Sequence, residues 1–448
     1  MTKYFAFFVF LAFSFTSQAQ QEVSLPMMHD IPNSIHFNPA YSTGYNWTIS
    51  LPSISNSMAS NGPSFEQLFV DNGNGNYSLH LDQAVAQLKA NNLFSNTSKI
   101  EVLGLSHQWK KSLLHFNVGV RTKIALDFPK NLAELAAFGN GPYVGKTLNV
   151  GPGLDIQAYS EIGVGYAHQF GKVRIGATVK FLNGLTSATS TKNNISLYTD
   201  PEYYQLTAST DYEVQSSSII SLDSLGNLNL NAAEINPNFA LKNSGTAFDV
   251  GIVFQATENL SISASAIDLG SILWKENAQT LKSKGTFTYE GLAANGGLSS
   301  IDSSSLTGFV DSIQKVFHFA QTTGEFKTPL AQKYTLGAEY KYGKTTLSAL
   351  LDATSIVNQM RPAFALGARS YVTNWIALGG VVSYKNQEID HLGINATFKL
   401  GPVQLYLLSD NALSYIFPKS ANDLHFRTGL NLVFGKTNKK REIIAPHL

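Results

Sequence analysis

The chain has 448 residues, with 32 Lys+Arg against 31 Asp+Glu and a net charge of +1, so bulk electrostatics single out neither nucleic acid nor an acidic partner. Charged residues make up 14%, below the roughly 25% usual in soluble domains, while aromatics reach 11% and glycines number 35, a mixture suited to many strands and tight turns. Cysteine is absent, which excludes a disulfide framework, a thiolate metal site and the thiol on which a bacterial lipid anchor is built.

Met1, Thr2 and Lys3 precede an apolar stretch from Tyr4 to Phe15, followed by Ser17, Gln18 and Ala19. This pattern predicts a secretory signal peptide over 1–19, cleaved after Ala19, because a membrane anchor needs about 20 apolar residues. Beyond it no apolar run is long enough for a membrane helix, so attachment to a membrane has to come from strands. The mean hydropathy of −0.04 fits that reading, since lipid-facing and lumen-facing residues of a barrel average out.

Period-two alternation recurs from about residue 100 to the carboxyl end. Leu114, Phe116, Val118, Val120 and Ile124 oppose His115, Asn117, Gly119, Arg121 and Lys123; Val173, Ile175, Ala177, Val179 and Phe181 oppose Arg174, Gly176, Thr178 and Lys180. Leu392, Ile394, Ala396 and Phe398 oppose His391, Gly393, Asn395, Thr397 and Lys399, and Leu424, Phe426, Thr428, Leu430, Leu432 and Phe434 oppose His425, Arg427, Gly429 and Asn431. One face suits lipid and the other water. A soluble sandwich alternates too, but long strands, aromatics near strand ends and alternating short and long connections favour a transmembrane antiparallel β-barrel.

Short connections are predicted at Trp109-Lys110-Lys111, Gly171-Lys172, Thr257-Glu258-Asn259, Gly343-Lys344, Thr373-Asn374 and Gly401-Pro402, with Asp200-Pro201 as a further candidate. Longer polar stretches lie near 53–99, 126–153, 218–245, 269–330, 353–361 and 411–421. With short turns in the periplasm and long loops outside, both termini fall in the periplasm. The count is 16 strands if the 187–217 pair crosses the membrane and 14 if that pair is a hairpin extension. The resulting division is signal peptide 1–19, plug segment 20–44, barrel 45–435 and a basic periplasmic tail 436–448.

Within the loops, residues 79–90 and 304–320 carry apolar stripes at helical spacing, read as short amphipathic caps on the rim, with a hydrophobic lid over a ligand mouth as the sharper alternative. The phrases Ala125-Leu126-Asp127, Ala266-Ile267-Asp268, Leu350-Leu351-Asp352 and Leu408-Ser409-Asp410 end up-strands at the outer side. Their aspartates are read as turn formers that accept nearby backbone N–H groups, and a divalent-cation ring is the competing reading.

The stretch Leu25-Pro26-Met27-Met28-His29-Asp30-Ile31-Pro32-Asn33-Ser34-Ile35-His36-Phe37-Asn38-Pro39-Ala40 precedes the first strand. Its Asn38-Pro39-Ala40 triplet resembles the plug signature of FadL-type long-chain fatty-acid transporters and of barrels associated with type IX secretion. In leader, Asn-Pro-Ala entry and closing strand the chain is similar to an uncharacterised Bacteroidota outer-membrane barrel family, a domain of unknown function. The resemblance implies that 20–44 folds into the barrel as a plug, with Asn38, Pro39 and Ala40 where the chain turns into the wall. Pro39 also restricts Asn38 to extended conformations, so the triplet equally fits a simple turn.

No phosphate-binding glycine loop, zinc spacing or nucleophile elbow occurs, so neither a cofactor nor an enzymatic activity is expected. His115, His391 and His425 with Asp249 and Glu339 are the residues that alternation could bring together in one lumen. Arg121, Lys123, Arg174, Glu339, Lys341, Lys399 and Arg427 are read as lumen-lining charges that pair and stiffen the interior. Two functions follow. One is a plugged passage for an apolar or amphipathic small molecule, with an apolar pocket beside the plug. The other is an outer-membrane scaffold or secretion-system accessory that binds proteins through its outer loops. The expected partners are outer-membrane lipid, such a hydrophobic ligand or such proteins, and no nucleic acid.

Overall fold

The computed structural model describes residues 22–71, 73, 77–79, 81–222, 228–230, 242–289, 319–357, 359–385 and 388–436. The leader, the basic tail and the helical pattern over 304–318 lie outside them. Among the described residues fourteen strands form the wall: β1 Tyr45–Ser60, β2 Asn91–Trp109, β3 Ser112–Pro129, β4 Gly153–Phe170, β5 Val173–Thr199, β6 Ser244–Gln255 and β7 Leu260–Trp274. The circuit continues with β8 Lys333–Tyr342, β9 Thr345–Ile356, β10 Gln359–Tyr371, β11 Ile376–Lys385, β12 Glu388–Leu400, β13 Val403–Ser409 and β14 Asp423–Lys436. Each strand is antiparallel to the next. β14 returns to β1 in a register running from Tyr45↔Lys436 to Ala59↔Asp423, so the wall closes on itself. Closure satisfies in hydrocarbon the backbone groups that an open edge would leave unpaired.

The turns at Gly171-Lys172 and Gly343-Lys344 put glycine at φ +57° and +59°, the left-handed conformation that two-residue hairpins require. Just above this row of turns, the outward side chains of Trp47, Trp109, Phe170, Tyr342 and Trp375 are about half exposed or more. A second outward aromatic row holds Phe181, Phe248, Tyr334 and Phe364. Phe181 lies eight residues beyond Val173, as Tyr334 lies eight before Tyr342. At about 3.3 Å per residue and a tilt near 40° the rows stand about 20 Å apart, close to the height of an apolar membrane band. Exposed Leu114, Val164, Ile175, Ile252, Leu336, Leu351, Leu366 and Ile394 fill the space between them.

β5 is 27 residues long. Up to Asn183 it pairs with β6; from Ala188 it pairs instead with Leu206–Ser217, which pairs with Ala278–Tyr289, which pairs with Ala320–Thr323. The 187–217 pair therefore prolongs the wall beyond the rim, and the wall has 14 strands. Asp200-Pro201 is the outer tip of this extension, not a turn on the side of Lys172. There Asp200 Oδ1 accepts the N–H groups of Glu202 and Tyr203 at 2.8 Å each. The extension has its own apolar core, with Ile195, Leu197, Leu206, Val214 and Leu281 packed against Leu132 and Leu135 of the helix Lys130–Phe138.

Three boundaries differ from the sequence reading. β1 and β2 run well into the stretch assigned to the 53–99 loop, because Ser55, Ser57, Ser95 and Thr97 face a wet lumen, while Asn56 pairs with Asn96 and Ser98 on the other face. The 353–361 loop is a tight connection between β9 and β10, whose ladder extends to Ile356↔Gln359. In the 79–90 region the helix covers Leu81–Gln87.

Candidate functional site

Residues 22–44 lie inside the barrel and add no strand to the wall. Pro26 and Pro32 occupy the first turns of two short 3-10 helices, Leu25–Met27 and Pro32–His36, where a missing N–H costs nothing. Leu25, Met28, Ile31 and Phe37 pack on Tyr406 and Leu408, while Val23 and Met27 pack on Leu350, Ala365 and Val381. Each such side chain stabilises the docked segment by about 1.5–3 kcal/mol.

Polar contacts fix the register of this apolar packing. Glu22 pairs with Arg427 at 2.9 Å, His29 Nε2 meets Glu339 at 2.5 Å, and Asp30 takes Arg369 through both oxygens at 2.9 and 2.8 Å. Glu101 accepts Asn33 Nδ2 at 2.9 Å and lies 2.6 Å from His36 Nε2. Asn38 Nδ2 donates to the carbonyls of Ile252 and Ala264, and its Oδ1 accepts Ala40 N–H at 2.9 Å. Asn38 thus closes a local turn and also clips the chain to β6 and β7. The fit depends on glycine: a Cβ at Gly251 would sit 2.0 Å from Asn38 Oδ1, and one at Gly176 2.4 Å from the Pro39 carbonyl.

Beside this segment a belt of buried charge crosses six consecutive strands. Lys99 lies 3.9 Å from Glu161, Arg121 lies 2.9 Å from Glu161 and 2.7 Å from Asp268, and Lys180 lies 2.6 Å from Asp268 and 2.7 Å from Asp249. Three cations face three carboxylates. Lys123–Asp155 is a further, half-buried pair and Lys333–Asp352 a buried one.

The aspartate phrases are therefore not turn formers. Asp268 sits within β7 at φ +59°, beside a shift in the β6–β7 register, with its N–H on Asp249 Oδ1. Asp352 binds Lys333, Asp410 binds the inner segment, and Asp127 lies within β3. The physical reasons differ: Asp352 faces the lumen by strand parity and meets Lys333 there, whereas Asp268 has the outward parity of Ile262 and Ala264 and reaches Arg121 and Lys180 only through the irregularity at its positive φ. Among the described residues no cluster of three or more His, Cys, Asp or Glu is arranged to hold a metal ion.

Arg174 donates to Gln108 at 2.7 Å, and Lys399 lies over the Tyr45 ring at 4.7 Å. Lys341 is half-buried near the turn row. His115 meets Thr178, His425 meets Asp410, Glu339 meets His29 and Asp249 meets Lys180, so these residues have separate partners and form no shared constellation. The side chain of His391 lies outside the described residues. Lys99, Glu101, Asp155, Glu161, Lys333 and Arg369 belong to the same networks and were not singled out from sequence; their only signal was polar parity within a strand.

Above the inner segment lies a cavity of about 200 Å³. Its lining mixes polar Ser57, Thr97, Lys99 and Gln157 with apolar Phe37, Ile267 and Ile356. The cavity beside the segment is apolar over most of its surface, as expected of a passage, although the water-face parity of β1–β4 also supplies hydroxyl and charged side chains.

A family described as a family of unknown function, DUF5723, matches residues 39–410, most of the chain. The chain belongs to that family. No curated protein matches it. Among solved structures, the Pseudomonas putida toluene transporter TodX is similar at 9% identity, over 90% of this chain and 94% of that one, with a TM-score of 0.42. The Ralstonia pickettii toluene transporter TbuX is similar at 10% identity, over 90% and 94%, with a TM-score of 0.40. The monoaromatic hydrocarbon channel CymD is similar at 8% identity, over 94% and 96%, with a TM-score of 0.33. The barrel assignment for this DUF5723 member rests on its own closed ladder.

Proposed function

We propose that this protein resides in an outer membrane and passes small amphipathic or apolar molecules through a barrel whose plug is residues 22–44. The observation that carries this is how the segment is held: by side chains and ion pairs to the inner wall, outside the ladder, below a cavity of mixed polar and apolar lining. Such contacts release without breaking the barrel, whereas a ladder strand could not. The mixed lining suits an amphipathic occupant.

Deleting residues 22–44 tests the reading. The closed wall should keep its heat-modifiable gel mobility, and outer-membrane permeability to small solutes should rise. Loss of the folded band, or unchanged permeability, would count against a plug.

A scaffold reading is favoured by one observation, the sheet extension with its separate apolar core and the exposed tip residues Tyr203 and Tyr204. It would bind other outer-membrane or secretion-system proteins there, and it predicts that removing the tip abolishes co-purification of a partner while leaving solute passage unchanged.

A further inference from the structure

The cavity above the inner segment is lined by charges that are already paired. Lys99, Arg121, Lys123, Lys333 and Arg427 face it, and each lies 2.5–3.9 Å from a carboxylate. The two carboxylates in the lining are engaged in the same way: Glu22 holds Arg427 at 2.9 Å, and Asp268 holds Arg121 at 2.7 Å and Lys180 at 2.6 Å. At such distances each charge largely cancels the field of its partner.

The polar groups left over are uncharged. Ser55, Ser95 and Thr97 also line the cavity, and among the described residues their hydroxyls make no hydrogen bond to another protein group. They sit close together on neighbouring strands, because the β1–β2 register sets Ser55 opposite Lys99, Ser57 opposite Thr97 and Ala59 opposite Ser95. A hydroxyl donates one hydrogen bond and accepts two, so the patch suits the oxygen of an alcohol or an ester. Phe37, Ile267 and Ile356 leave apolar surface for the chain attached to that oxygen.

A charged head is disfavoured here for two reasons. It loses hydration on entry, and the lining supplies no unpaired counter-charge in return. If it instead draws a cation from its partner, it strands a buried carboxylate, as Glu161 would be stranded on losing Arg121 and Lys99.

We propose that the cavity binds amphiphiles with an uncharged, oxygen-bearing head, an alcohol or an ester, and selects them against carboxylates and ammonium ions of the same chain length. This rests on the passage reading and specifies the class of molecule passed. The competing site for an anionic head is Lys99, whose 3.9 Å separation from Glu161 is the longest among these pairs.

The chain has no cysteine, so Thr354→Cys puts a unique thiol in the lining, at a residue whose hydroxyl bonds Asp352 and is not part of the patch. In the full chain held in amphipol, the rate at which a methanethiosulfonate reagent modifies that thiol reports occupancy of the cavity. The probes are decan-1-ol, decanoate and decylammonium, which share one chain and differ in the head. Decan-1-ol should half-protect the thiol at a concentration at least about tenfold below that of either ion, because an uncompensated charge opposes entry. Ser55→Ala with Thr97→Ala should raise the decan-1-ol value about tenfold, through the loss of two hydrogen bonds, and leave the values for the ions unmoved. Decanoate protecting at or below the decan-1-ol concentration overturns the proposal, and loss of that protection in Lys99→Met would assign the site to a carboxylate instead. An unchanged decan-1-ol value without the two hydroxyls equally overturns it. Protection by none of the three probes, in a protein that keeps its heat-modifiable mobility, would overturn the passage reading itself.

Discussion

Removing the charge of Lys180 tests whether the lumenal belt is a true buried network. Lys180 is 1% exposed, with its ammonium 2.7 Å from Asp249 and 2.6 Å from Asp268. Lys180→Met keeps the length of the stem and removes only the cation. Three carboxylates, Glu161, Asp249 and Asp268, then face two cations, Lys99 and Arg121. Stranding one member of a buried pair costs about 3–5 kcal/mol, and the neighbouring cavity, which can admit water, points to the lower end, about 3 kcal/mol. Asp249→Asn in the same chain restores the balance, so the double variant should lose less than the sum of the single changes, with a coupling of about 1–2 kcal/mol. Urea unfolding of the vesicle-inserted protein, followed by tryptophan fluorescence, measures all four forms. Lys180→Met within about 0.5 kcal/mol of wild type, or strictly additive losses, would mean that lumenal water screens the belt and that it is a lining, not a brace.

Gly251→Leu should expel the Asn38–Pro39 turn, because even a Cβ would lie 2.0 Å from Asn38 Oδ1; limited proteolysis should then cut within 22–44 while heat-modifiable mobility persists, and a protected segment would show that the dock is elsewhere. Topology is checked by single cysteines: an impermeant thiol reagent on intact cells should label position 202, at the tip of the extension, and spare 172 and 344 until the outer membrane is opened. Labelling of 344 but not 202 would invert the barrel and remove the uptake reading.

The barrel itself was legible in the chain, because pleated strands put alternate side chains on opposite faces and a membrane wall needs one apolar and one wet face. In β14 the rows Leu424 to Phe434 and His425 to Asn431 could be separated without any coordinates, and glycine beside lysine marked the turns at 171–172 and 343–344. Strand number was legible only as a choice, since β5 keeps its alternation past the rim. Whether Leu206–Ser217 crosses the membrane or prolongs the sheet depends on which strand pairs above Asn183, a matter of register between segments distant in sequence. The same limit applied to the interior. Parity could send Lys180 and Asp410 to the wet face, while Asp268 reaches it only through a break in the β6–β7 register, and the partners of all three are set by the stagger of neighbouring strands and by the path of residues 22–44. Asp268 and Asp410 therefore looked like turn residues locally, while tertiary structure placed one between Arg121 and Lys180 and the other against the backbone of Val23 and Ser24.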